Sequence, residues 1–258
     1  MSRMGFFTDT SICIGCKACE VACKEWNSVP DDGFNLLGMS FDNTGMLGAN
    51  SWRHVAFIEQ SKPVAQPDAH VRWLMSSDVC KHCTHAGCLD VCPTGSLFRT
   101  EFGTVVVQED ICNGCGYCVP ACPYGVIDRR EDDGRVWKCT LCYDRIGDGL
   151  EPACAKACPT DSIQFGELDE LRERARGRVD ELVSAGVVDA RLYGASPDDG
   201  VGGAGAFFLL LDEPEVYGLP PDPVVPTRDL ASMWRHAAAA AGVFLGLGVA
   251  AFAGRRSS

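Results

Sequence analysis

The sequence predicts an α+β chain organised by its cysteines more than by one continuous apolar core, followed by a single helix of membrane length. Three observations predict it. Sixteen cysteines stand in four runs of four, with none left over. Short alternating segments and one amphipathic stretch separate or follow the runs. Residues 237–254 (AAAAAGVFLGLGVAAFAG) contain no charged side chain.

The runs are Cys13, Cys16, Cys19, Cys23; Cys80, Cys83, Cys88, Cys92; Cys112, Cys115, Cys118, Cys122; and Cys139, Cys142, Cys154, Cys158. The first and third have the C-x2-C-x2-C-x3-C spacing with which bacterial ferredoxins hold [4Fe-4S] clusters. Four thiolates per cluster and sixteen thiolates give four clusters, a relay for single electrons rather than a catalytic site. Cys92-Pro93, Cys122-Pro123 and Cys158-Pro159 keep the ferredoxin Cys-Pro step, whereas Cys23 is followed by Lys24. The fourth run is the widest, opened out between Cys142 and Cys154. Disulfides do not suit C-x-x-C pairs repeated along so long a sequence. A zinc-stabilised interaction protein with no redox role is the stronger rival, but zinc favours two separated pairs over three cysteines in close succession.

The elements follow in order. No basic segment and apolar stretch precede the first run, so no signal peptide is expected. Between Cys23 and Cys80 the first half is loop-like, with Gly33, Gly38, Gly45 and Gly48. Residues 52–60 (WRHVAFIEQ) and 70–75 (HVRWLM) alternate enough to be strands. Residues 103–107 (GTVVV) form a short strand after a glycine turn, between the second and third runs. Residues 168–184 (LDELRERARGRVDELVS) carry Leu168, Leu171, Ala175, Val179 and Leu182 at helical spacing, the pattern of a surface helix packed on the cluster domain. Residues 200–205 (GVGGAG) precede an apolar strand, 206–211 (AFFLLL). A phosphate loop would instead join a strand to a helix, so nucleotide binding is not expected. Residues 214–226, with five prolines, suggest a stiff extended linker.

Residues 234–253 make 20 helical residues, about 30 Å and the thickness of the bilayer hydrocarbon. Trp234 and Arg235 at one end, and Arg255 and Arg256 at the other, are interfacial anchors. Gly242 and Gly246 permit close contact with another membrane helix. Arg255 and Arg256 favour a cytoplasmic C-terminus, which would put the cluster domain on the extracytoplasmic side; Arg228 and Arg235 oppose that orientation. The formal net charge of -12, with 35 acidic against 23 basic residues, argues against a nucleic-acid partner.

In a two-cluster ferredoxin unit the fourth cysteine of each run ligates the other cluster. The second and third runs are neighbours in sequence, so they suit one such unit and leave the first and fourth for another. Spacing alone also allows the first run to pair with the second and the third with the fourth. His82 and His85, inside the second run, suit either tuning of a cluster or simple packing, and packing is the more economical reading. His236, beside the membrane segment, reads as an interfacial anchor rather than a group approaching a haem or quinone.

The segments CIGCKACEVACKEWN (13–27), CKHCTHAGCLDVCPTGSL (80–97), CNGCGYCVPACPYGV (112–126) and KCTLCYDRIGDGLEPACAKACPTDSIQFG (138–166) resemble the iron-sulfur (beta) subunits of membrane-bound formate dehydrogenase of the N type. LYG (192–194), GVGG (200–203), YGLPPDP (217–223) and the C-terminal helix extend the resemblance over nearly the whole chain. Other four-cluster subunits of molybdopterin oxidoreductases share the cysteine motifs; the tail narrows the match.

The resemblance implies an α+β fold of two interleaved ferredoxin-like (2x[4Fe-4S]) units plus a C-terminal transmembrane helix. It implies one cluster on Cys13, Cys16, Cys19 and Cys158, and a second on Cys23, Cys139, Cys142 and Cys154. A third would use Cys80, Cys83, Cys88 and Cys122, and the fourth Cys92, Cys112, Cys115 and Cys118. The implied division is 1–79 (first run and insertion), 80–128 (central ferredoxin-like unit), 129–166 (fourth run, pairing with the first), 167–227 (helix, strand and Pro-rich linker) and 228–258 (membrane anchor). Related nitrate reductase subunits replace one cysteine by tryptophan, which this sequence does not. The implied role is non-catalytic: electrons pass from a Mo- or W-bis-pterin alpha subunit that oxidises formate, through four clusters, to a cytochrome b-type gamma subunit that reduces a quinone. The alternative is the same role in a polysulfide, thiosulfate or sulfoxide reductase.

Overall fold

The computed structural model describes residues 2–33, 38, 41, 42, 44–60 and 71–255. The chain divides into two units, Met1–Val225 and Pro226–Ser258. In the first, β1 (Met4–Asp9) leads into the first cysteine run, and α1 (Ala18–Asn27) carries Cys19 and Cys23. A hairpin of β2 (Arg53–Gln60) and β3 (Arg72–Val79) leads directly to Cys80. A one-turn helix, α2 (Gly87–Asp90), holds Cys88. β4 (Leu97–Arg99) and β5 (Val105–Val107) link the second run to the third, and β6 (Asp128–Arg129) and β7 (Val136–Trp137) link the third to the fourth. Two short helices follow, α3 (Tyr143–Gly147) and α4 (Ala153–Lys156) with Cys154. The unit closes with β8 (Ile163–Glu167), α5 (Leu168–Ser184), β9 (Arg191–Tyr193) and β10 (Ala206–Leu210).

One four-stranded sheet, in the order β8-β1-β10-β9, separates two cores. Its central strands β1 and β10 run parallel, and every residue of β10 is buried, as expected for a strand covered on both faces. On one face Phe7, Phe207 and Leu209 meet Leu168, Leu171 and Ala175 of α5. Phe7 and Phe207 stack there with ring centres 5.3 Å apart. On the other face Phe6, Phe208 and Leu210 join a core that includes Cys19, Cys23, Cys80, Cys139 and Cys154. Arg178 of α5 pairs with buried Asp9 at 3.0 Å, fixing the helix to the end of β1.

The strand pairs bring cysteine runs together. β1 precedes the first run and β8 follows the fourth; they are antiparallel, with Thr8 opposite Ile163. Antiparallel pairing puts Cys13 and Cys158 at the same end of that pair. β4 follows the second run and β5 precedes the third, with Leu97 opposite Val107, so the same device places Cys92 near Cys112.

Several expectations shift. β2 and α5 lie where periodicity puts them, but β3 starts at Arg72 and continues past the expected end to Val79. Ser76 and Ser77 are buried there, and a polar inward face hides the alternation. His70 lies outside the described residues. The strand expected over 103–107 keeps only Val105–Val107, after a turn at Gly103 with φ +75°. The segment 214–226 is not a free linker. It opens with a 3-10 turn at Pro214–Tyr217, and Tyr217, Leu219 and Val225 are buried. The hydroxyl of Tyr193 donates to the carbonyl of Pro220, and that of Tyr217 accepts from the Leu211 N–H.

The second unit is a 3-10 turn followed by α6 (Leu230–Arg255), 26 residues. It is long and apolar enough to cross a membrane, with a mean hydropathy of 1.8 over its most apolar stretch. Val243, Phe244, Leu245, Leu247, Val249 and Phe252 are exposed. Arg256 lies outside the described residues.

A Cβ on Gly5 would collide with the carbonyl of Gly205 and stand 2.8 Å from Leu168. We expect Gly5→Ala to cost about 1–3 kcal/mol through overpacking of β1 against β10. Gly48→Ala, whose Cβ meets nothing nearer than 3.8 Å, should be close to neutral. Comparing the temperatures at which the two variants lose their visible absorbance tests the contrast.

Candidate metal centres

Each run opens with a C-x-x-C pair, and the residue before its second cysteine has left-handed backbone in all four. These are Gly15 (φ +66°), His82 (+43°), Gly114 (+70°) and Leu141 (+59°). The shared turn winds the backbone so that both cysteines of a pair face one side. Glycine adopts it freely; a side chain there costs about 1–2 kcal/mol. Packing holds the two costly positions: Leu141 is 1% exposed and His82 2% exposed.

The sixteen thiols gather into four neighbourhoods. Cys13, Cys16, Cys19 and Cys158 line one narrow cavity with Val55, Ser77 and Ile163. Burial raises the Cys13 thiol, and the adjacent Cys158 and Cys16 add to the effect. In the second neighbourhood, burial first and then Cys139, Cys154 and Cys142 hold Cys23 well above the ordinary thiol range. Asn27 reaches both Cys23 and Cys142 there, 3.8 Å from each sulfur. In the third, burial and the charges of Cys80, Cys122 and Cys88 act in the same way on Cys83. In the fourth, Cys118 is pushed up to about 12 by burial, with Cys115, Cys92 and Cys112 adding. Each grouping takes cysteines from two runs.

Charges also act from one neighbourhood to the next, in series. Cys19 of the first is raised to about 11, chiefly by burial, with Cys154 of the second contributing. Cys139 of the second rises to about 12, by burial and then by Cys80 of the third. Cys88 of the third rises to about 12 by burial, and Cys118 of the fourth is among the thiolates acting on it. Cys16 at one end of this series and Cys115 at the other are exposed, while Cys23, Cys139, Cys142 and Cys154 are all buried.

Bound cationic centres would hold the raised thiols as thiolates. Among the described residues, no three or more Cys, His, Asp or Glu side chains converge closely enough to share one ion. The four groupings, each of four thiols, suit iron-sulfur clusters, in which each thiolate binds its own iron.

Three buried cations stand among the sulfurs: Arg53, Lys81 and Lys138 are each no more than 2% exposed. Lys138 donates to the carbonyls of Val105 and Cys139. Burial lowers its pKa, but Cys80, Cys88 and Cys139 together outweigh this and raise it. Lys81 pairs with Asp78 and donates to Val79 O at 2.9 Å. None of the three stands out in the sequence; the lysines beside the first cysteine of C-x-x-C pairs were the available signal.

The glycine-rich stretch 200–205 has a structural task. Its carbonyls at Val201 and Gly203 accept from His85 N and Thr84 N, and Gly205 N donates to Lys81 O at 2.8 Å. A Cβ on Gly203 would stand 2.9 Å from Arg172. The backbone thus clasps the second cysteine run. His82 has a packing role: Nδ1 accepts from the Val105 N–H at 3.0 Å, and burial holds its pKa well below the ordinary histidine value. His85 is half-buried, and His236 is exposed with Nδ1 2.8 Å from Ser232 O.

Two family models described as 4Fe-4S dicluster domains match the protein, over residues 12–96 and 71–168. The iron-sulfur subunit of the nitrate-inducible formate dehydrogenase of Escherichia coli (strain K12) is 42% identical over 233 residues, covering 89% of this chain and 76% of that protein. The protein belongs to the formate dehydrogenase iron-sulfur subunit family. A second member, from Haemophilus influenzae, is 42% identical over 88% of this chain and 71% of its own length. A subunit of the anaerobic dimethyl sulfoxide reductase of E. coli is similar over a shorter span, 37% identical over 67% of this chain and 78% of its own. The first match spans the first two cysteine runs and the second spans the last three, overlapping over residues 71–96.

A Cβ at Gly114, besides its left-handed backbone, would collide with the carbonyl of Gly134. Gly114→Ala should therefore distort the third run and deplete iron by one cluster's complement. Iron and sulfide quantification of the purified protein checks it, against Gly116→Ala, which shares the left-handed backbone (φ +76°) but whose Cβ meets nothing within 4 Å.

Proposed function

We propose that this chain is the electron-transfer subunit of a formate dehydrogenase complex and itself catalyses no bond-making step. Four [4Fe-4S] clusters supply one-electron storage when bound. We assign their ligands as Cys13, Cys16, Cys19 and Cys158; Cys23, Cys139, Cys142 and Cys154; Cys80, Cys83, Cys88 and Cys122; and Cys92, Cys112, Cys115 and Cys118. The observation that carries the assignment is that Cys13, Cys23, Cys83 and Cys118, one from each set, are acted on by sulfurs of their own set. The charges of Cys154 acting on Cys19, Cys80 on Cys139 and Cys118 on Cys88 support a linear order of the sets as just written.

The domain organisation proposed is residues 1–79 for the first run and insertion and 80–128 for the central ferredoxin-like unit. Residues 129–166 carry the fourth run. Residues 167–227, packed on the cluster domain, come next, and 228–258 are the anchor. The ends of the series suit electron entry and exit. Exposed Cys16 lies beside Ile14, Phe41 and Trp73, and exposed Cys115 falls in the sequence between Ile111 and Tyr117, all at least 40% exposed. Such patches mark docking surfaces. The partners are a Mo- or W-bis-pterin catalytic subunit and a cytochrome b-type membrane subunit. α6 anchors the complex, with the cluster domain on the extracytoplasmic side. The formate relatives match 89% of this chain and the dimethyl sulfoxide reductase relative 67%, which favours formate as the electron source.

The test is formate-dependent dye reduction by the detergent-solubilised complex captured through a tag on this subunit. Activity together with molybdenum or tungsten is expected; an iron-rich complex inert to formate would assign it to another molybdopterin enzyme. A second prediction concerns the ligand sets. Cys158→Ala should remove the cluster of the first run and leave that of the fourth, read by the electron paramagnetic resonance of the reduced complex. The reverse pattern would refute the interleaving.

A further inference from the structure

Arg53 opens β2 opposite Val79 and is 2% exposed. Nη1 donates to Ser77 O at 3.2 Å and to Ser77 Oγ at 3.0 Å. The guanidinium stands over the Phe6 ring, 5.0 Å from its centre. Nε and Nη2 find no hydrogen-bond partner among the described residues. The charges that act on Arg53 are sulfurs: Cys154, Cys19, Cys139 and Cys23. Cys19 belongs to the first ligand set and the other three to the second. Ser77, which aims the guanidinium, also lies 3.2 Å from Cys19 Sγ.

An arginine stays charged at any physiological pH, and burying that charge without a partner is strongly unfavourable. Lys81 has Asp78 as its counter-ion. Arg53 has two free donors, and the charges acting on it are the four sulfurs, one of them reached through Ser77. Its counter-charge is the pair of clusters themselves. Cluster potentials follow net charge, hydrogen bonds to sulfur and exposure, and Arg53 acts through the first. Each one-electron reduction makes a cluster more negative by one charge, and a fixed cation in a water-poor interior favours that step with little screening.

We propose that Arg53 is a positioning and tuning residue shared by the first two clusters, favouring the reduced state of both. The inference rests on the four-cluster reading above. No bond forms or breaks: an electron arrives from the neighbouring centre or partner, and Arg53 keeps its protons throughout.

The experiment is a redox titration of the intact complex followed by electron paramagnetic resonance, comparing wild type with Arg53→Met and Arg53→Lys. In Arg53→Met the balance of oxidised to reduced should shift tenfold or more at two clusters, equal to a fall of about 59 mV in each midpoint. The other two midpoints should stay in place, and Arg53→Lys should recover most of the loss. Four unmoved midpoints in fully loaded Arg53→Met, or equal falls in the Met and Lys variants, overturn the proposal. Where Arg53→Met loads incompletely, Arg53→Gln is titrated beside it. Loss of the same two clusters from both neutral variants, with retention in Arg53→Lys, supports charge compensation. Loss from all three variants overturns it in favour of packing. A wild-type complex without four clusters would instead remove the underlying reading, and that is visible before any variant is made.

Discussion

Sixteen thiolates brought into one protein interior repel one another, and the fold is arranged around relieving that repulsion. Burial and neighbouring sulfurs push Cys19, Cys88, Cys118 and Cys139 up to about 11 or 12. A protein that must hold such groups as thiolates needs positive charge among them. Bound iron is the main source; Arg53, Lys81 and Lys138 are the share the polypeptide supplies itself. These cations are buried where an apolar side chain would otherwise pack, which is unfavourable unless anions surround them. Cation and sulfur are each tolerable in the core only because of the other.

The same constraint explains the topology. In the proposed assignment each centre takes ligands from two runs, and antiparallel strand pairs that flank the runs bring those cysteines together. In the central unit the pair is a local hairpin, β4 with β5. In the outer unit it is β1 with β8, from opposite ends of the cysteine-bearing sequence, reinforced by the parallel neighbour β10. Formation of the outer sheet therefore waits on the last third of the first unit. The central hairpin needs only residues close to it in sequence, and contacts this local form readily.

Much of this was legible in the sequence. The cysteine spacings, the helix at 168–184 and the strand at 53–60 followed from period and ligand chemistry. β3 was placed short because Ser76 and Ser77 are buried in its second half, Ser77 bonding Arg53 and approaching Cys19, and buried serines do not read as core. The proline-rich segment read as a linker because proline density signals stiffness but not burial; Tyr217 and Leu219 decide its packing. The buried cations were not legible, since a lysine beside a cysteine looks like any surface lysine until its neighbours are known. Nor was the left-handed turn at His82 and Leu141, where no glycine advertises it.

The contrast between the buried second set of cysteines and the exposed Cys16 and Cys115 bears on insulation. A wire of single-electron centres is useful only if current leaves where it should. In the proposed series, centres wrapped on all sides by protein would be shielded from small oxidants dissolved in the surrounding water, while those at the ends, with exposed Cys16 and Cys115, would be open to them until a neighbouring subunit covered them. Assembly of the complex would then do for the ends what the fold already does for the middle: it would close the conductor against leakage.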